Sequence, residues 1–96
     1  MVKAITRAGE NELPSFGNYE EAKAFFTERY GSDFILQDID RIGEQLCYFH
    51  ALVLDWEEYD RGQKQLREQG TLTGFEYIGS YQPIQIMEDG SLHIVY

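Results

Sequence analysis

Apolar positions recur at spacings of three and four from Tyr19 to Tyr30, through Ala22, Phe25 and Phe26, with Arg29 completing the stripe. That period lays one apolar face along a helix. The ends carry matching signals. Asn18 can accept from the first turn, Glu21 stands at the third helical position to bond back, and Gly31 follows as a terminator. The pattern predicts a helix over 19–30.

The period then changes. "FILQDID" reads as a half-buried strand whose alternation fades toward its carboxylates, and a turn follows near Arg41, Ile42 and Gly43. "QLCYFHALVL" is apolar on both faces, with Leu46, Tyr48, His50, Leu52 and Leu54 on one and Cys47, Phe49, Ala51 and Val53 on the other. A strand written this way belongs inside a sheet or beneath two layers. Asp55 restarts the helix grammar, with Glu58 three residues on. The body "WEEYDRGQKQLREQG" offers opposite charges at Glu57–Arg61 and Asp60–Lys64, and in reverse at Lys64–Glu68. Its apolar stripe is thin: Trp56, Tyr59 and Leu66, interrupted by Gly62. A surface helix ending at Gly70 is expected.

At the two ends the signals are shorter. "VKAIT" reads as a first strand and "RAGENELPSFG" as a loop. The tail "TGFEYIGSYQPIQIMEDGSLHIVY" is strand-rich, with Asp89-Gly90 supplying a tight hairpin turn. Ile84, Ile86, Leu92, Ile94 and Tyr96 can alternate across that pair. Pro83 cannot donate to a ladder, which places its stretch at an edge or a bulge. The expected fold is therefore α+β: one domain over residues 1–96, an antiparallel sheet of four to five strands, and two helices on one face. The order β-α-β-β-α-β plus a C-terminal strand is compatible with the split-βαβ, ferredoxin-like arrangement.

Composition narrows the functional classes. A chain of 96 residues has room for one core. An aromatic content of 15% argues against disorder. With Cys47 alone, an intrachain disulfide and a multi-cysteine zinc site are both excluded. The first residues lack the apolar run of a signal peptide. The longest apolar stretch, Leu46 to Leu54, is broken by His50 and falls far short of the ~20 residues that span a bilayer. A cytoplasmic protein is expected. Eight basic residues against seventeen acidic ones give a net charge of −9. This disfavours direct binding of nucleic acid or of anionic membranes, and permits a basic protein partner.

Each candidate chemistry has a plainer reading beside it. Cys47 and His50 fall on opposite strand faces, so a nucleophile pair is not expected, and His50 reads as a buried histidine without a catalytic role. Asp38 and Asp40 share a face and could clamp a hard cation, yet they also mark where the strand leaves the core. Gly74 and Gly79 match no phosphate-loop spacing. No catalytic residue, metal ligand or cofactor is assigned. The charge distribution says more. From Asp33 to Asp60 eight acids face Arg41 alone, leaving −7 in this stretch. Asp38, Asp40 and Glu44 lie at one end of the shared strand and the acids of 55–60 at the other, so two acidic poles are expected. A solvated surface with helix-dipole complementarity is the plain account. The functional account is a recognition surface made by Asp38, Asp40, Glu44, Glu57 and Asp60 with Trp56 and Tyr59. The expected function is non-enzymatic binding of another macromolecule through an acidic, Tyr-bearing surface, as an inhibitor or accessory factor. The alternative is a small-ligand sensor or regulatory domain that forms a homodimer through its sheet.

Overall fold

Both long helices begin and end where their caps require. In the computed structural model, which describes residues 3–71 and 77–96, the Asn18 side chain accepts the Glu21 N–H at 2.9 Å, opening a helix at Tyr19–Tyr30. Glu21 reaches back one residue further than a capping box does, accepting the Gly17 N–H at 2.6 Å. Asp55 accepts the Glu58 N–H at 3.3 Å and opens Trp56–Gln69, which Gly70 closes at φ 72°. With a short first helix, Arg7–Asn11, these are α1, α2 and α3. The strands are β1 (Phe34–Ile42), β2 (Gln45–Val53), β3 (Tyr81–Met87) and β4 (Leu92–Ile94).

The four strands form one antiparallel sheet in the order β1-β2-β3-β4. The class is the expected α+β, but the connectivity is a meander with α3 inserted between β2 and β3. The first expected strand is not formed: residues 3–6 carry no strand, and 1 and 2 lie outside the described residues. A split-βαβ arrangement needs that strand, so it is not the arrangement of the described residues. Gln82 explains the difference. Its side-chain amide accepts the Ile5 N–H at 2.7 Å and donates to the Ile5 carbonyl at 2.8 Å. One buried side chain thus supplies the two bonds that a neighbouring strand would have made. The segment 72–76, with Gly74, also lies outside the described residues.

β2 is buried on both faces, as its doubly apolar pattern requires. On one face α2 lays Tyr19, Ala22 and Phe26 over Phe34, Leu52, Ile84, Ile86 and Ile94. On the other, Cys47, Ala51 and Val53 are fully buried. Tyr81 pairs with Val53 and so shares that second face, where the Tyr59 ring of α3 meets it edge-on at 5.6 Å. The two helices therefore lie on opposite faces, not on one. A strand with no polar face needs cover on both sides.

Pro83 is also resolved differently from expectation. β3 is an inner strand, yet Pro83 stands just beyond the end of β4. The Val95 N–H donates to the Pro83 carbonyl at 3.1 Å, and the Val95 carbonyl, which a donor at position 83 would have served, takes the Gln82 Nε2 at 3.1 Å. The missing donor is replaced by its neighbour's side chain.

Candidate functional site

The two tight turns of the sheet lie side by side. Gly43, at φ 64°, turns β1 into β2, and Gly90, at φ 89°, turns β3 into β4. Across them Gln45 Nε2 donates to Asp89 Oδ2 at 3.4 Å, and the Asp89 N–H donates to Gln45 Oε1 at 3.3 Å. Glu88 accepts the Leu46 N–H through its carboxylate and donates its own N–H to the Leu46 carbonyl at 3.1 Å. The Glu88 carbonyl in turn accepts the Tyr19 N–H, so α2 starts at this end as well. Gly90 is held close here, because a Cβ would stand 2.4 Å from the Phe16 carbonyl oxygen.

This arrangement sets Glu44, in the first turn, beside Glu88 and Asp89 in the second, while Asp40 and Asp38 stand further along β1, opposite Cys47 and Phe49. The sequence pattern had pointed only to Asp38, Asp40 and Glu44. The signal that could have found the others is the strand order, because it alone decides which turns are neighbours. Arg41, opposite Leu46, spends one donor on the Glu44 carbonyl at 3.4 Å. Hydrogen bonds from Ser91 hold the Asp89 carboxyl below its ordinary range. Asp38 and Asp40 each accept the N–H of the next residue, Ile39 and Arg41, at 2.8 Å.

The second group of expected residues lies beyond the far end of β2. At ~3.3 Å per residue its last residue, Val53, is about 26 Å along the strand from Gln45 at the turn and about 13 Å from Phe49, which Asp38 faces. Glu57 and Asp60 are exposed on α3, where Arg61 neutralises Glu57 at 3.3 Å and Glu58 at 2.7 Å. Trp56 is 38% exposed, but its indole N–H is committed to Asp33 at 2.7 Å. Tyr59 is a correction. It is only 7% exposed, its hydroxyl accepts from Gln37, and it stacks with Tyr77 at 5.6 Å. An aromatic that fills the layer between helix and sheet cannot also present itself to a partner. Structure therefore places the seven expected residues in two groups and takes one of them off the surface.

Two further constellations bear on chemistry. His50 is 2% exposed and lies flat against Phe34 at 4.3 Å. Its Nδ1 is 3.1 Å from the Ile35 carbonyl, which can only accept, so Nδ1 carries the proton and Nε2 accepts from the Tyr19 hydroxyl at 2.8 Å. Burial lowers the His50 pKa to about 4, and burial, with Glu20 and Tyr48, raises that of Tyr19 to about 12. Near neutrality both are uncharged and far from exchanging a proton. Cys47 is fully buried, and burial raises its thiol pKa. Among the described residues no group of three or more His, Cys, Asp and Glu is placed to hold a metal ion.

A groove of about 750 Å³ runs between the N-terminal segment and the start of β3. Its walls include Ile5, Leu54, Ile78 and Val95, with Arg7 packed 4.9 Å from the ring centre of Tyr96 at its mouth. Among the described residues no helix is long and apolar enough to cross a membrane. Comparison with protein-family models, with curated proteins and with solved structures finds no match to this chain.

Proposed function

We propose that this chain is a non-enzymatic, cytoplasmic binding protein, an inhibitor or accessory factor. It engages a basic segment of a protein partner through the acidic pole at the β1–β2 and β3–β4 turns. One observation supports the reading: Gln45 and Asp89 bond the two turns together, which sets Glu44 beside Glu88 and Asp89, with Asp40 and Asp38 further along β1. Two turns locked to each other form a preorganised surface, which lowers the ordering cost of binding. Clustered charge of one sign steers encounter and discriminates between partners. The pole at α3 supports the reading less, because Arg61 already offsets its first turn.

The reading is tested by capture from native cell extract, quantified by mass spectrometry at low and high salt. A partner should be retained near 50 mM salt and released near 500 mM, as the screening length contracts from roughly 14 to 4 Å. Reversal of charge at Glu44 and Asp89 should abolish that capture, and reversal at Glu57 and Asp60 should not. Capture that survives both reversals removes the acidic pole from the function.

The groove supports a second reading, a small-ligand sensor, since its size falls in the range of ligand sites. Its test is a thermal-shift series with apolar carboxylic acids that could seat on Arg7. No rise in melting temperature for any of them removes this reading.

A further inference from the structure

β1 is an edge of the sheet, and an edge presents alternate N–H and C=O groups to solvent. Which groups face outward follows from the pairing. The Glu88 N–H donates to the Leu46 carbonyl, so the even-numbered residues of β2 bond toward β3 and the odd-numbered ones toward β1. Asp38 and Asp40 stand opposite Phe49 and Cys47. Their own backbone groups therefore bond to β2, and the N–H groups of Ile39 and Arg41 point away from the sheet. These two outward donors, the ones nearer the turn, are taken: Ile39 N–H by Asp38 Oδ1 and Arg41 N–H by Asp40 Oδ1, each at 2.8 Å.

The same strand has what an open edge would need. Leu36, Ile39 and Ile42 are each about half exposed, at 47%, 47% and 50%. A register shift between Leu36 and Asp38 bulges the strand at Gln37, a second feature that discourages pairing. An edge this long and apolar would otherwise template another strand.

We propose that Asp38 and Asp40 lock the turn-proximal half of the β1 edge, their carboxylates occupying two of the outward donors that a second copy of this chain would need to pair with β1. The second copy is the occupant because antiparallel pairing of a strand with its own copy is two-fold symmetric and so self-complementary. Such pairing would also cover Leu36, Ile39 and Ile42. The lock acts through hydrogen bonds, so it is separable from any role of these carboxylates as charges toward a partner.

Two double variants separate bond from charge. Asp38→Asn with Asp40→Asn removes both charges and keeps an acceptor at each site. Asp38→Ala with Asp40→Ala removes both charge and acceptor. Sedimentation velocity over a concentration series should find the wild type and the Asn pair at monomer mass and the Ala pair rising to twice that mass. A folded Ala pair that stays monomeric overturns the lock, and association of both pairs overturns it in favour of plain charge repulsion. Should the Ala pair lose its circular dichroism, the single variants carry the test. The Ile39 amide proton should shift upfield in Asp38→Ala, and that of Arg41 in Asp40→Ala. Amide protons that do not move would overturn the lock, because the bonds would then be absent in solution.

Discussion

At the residue scale, the side chains that look most reactive turn out to be braces. His50 sits between Phe34, the Ile35 carbonyl and the Tyr19 hydroxyl, and every polar atom of its ring is spent. Its pKa of about 4 in the folded protein lies below the ordinary value of 6.5, so between those values the unfolded chain binds the extra proton. Stability from this group is complete above pH 6.5 and is lost as pH falls toward 4, a difference on the order of 3 kcal/mol. Denaturant midpoints measured from pH 7 to 5 should fall for the wild type and fall less steeply for His50→Gln, despite the lower starting stability of the variant. Equal slopes in the two proteins would mean that His50 is not buried neutral. Its burial was legible, because both faces of its strand are apolar. The Tyr19 partner was not, since sequence does not say which helix residue lands above which strand residue.

Elements were read best where local chemistry decides them and least well where a distant side chain does. Asn18, Asp55, Gly31 and Gly70 bound α2 and α3 as their types imply, because a cap is satisfied within one turn. The first strand was misread for the opposite reason: Ile5 finds its bonds on Gln82, 77 residues away. Gly62 was read as a gap in a thin apolar stripe, but it is a contact. A Cβ there would stand 2.0 Å from the Tyr77 ring, which packs against Tyr59 and Tyr81. Ala at this position would gain up to ~1 kcal/mol of helix propensity. The displaced ring should outweigh that gain, for a net loss of about 1–2 kcal/mol. Chemical denaturation of Gly62→Ala checks it, and a stabilised variant would show that Tyr77 can leave α3 at little cost.

At the scale of the whole molecule, the α+β class followed from the change of period along the chain, and the layering followed from physics that one strand already stated. β2 has no polar face, so the molecule covers it twice, with α2 on one side and α3, through Tyr59, on the other. Within the first acidic group, only the turn residue Glu44 is a full strand length from the second, because Asp38 stands opposite Phe49 at mid-strand. That much was legible from strand length. The addition of Glu88 and Asp89 to the first was not, because it depends on β3 lying beside β2. The central claim is that this assembled pole, and not acidity in general, is the recognition surface. A nitrogen–proton correlation spectrum of the labelled protein, titrated with a short arginine-rich peptide at about 50 mM salt, tests it most directly. Amide shifts should concentrate at residues 38–46 and 88–91, leave 55–60 nearly unmoved, and vanish near 500 mM salt. Shifts spread equally over both acidic groups, or centred on α3, would contradict the account.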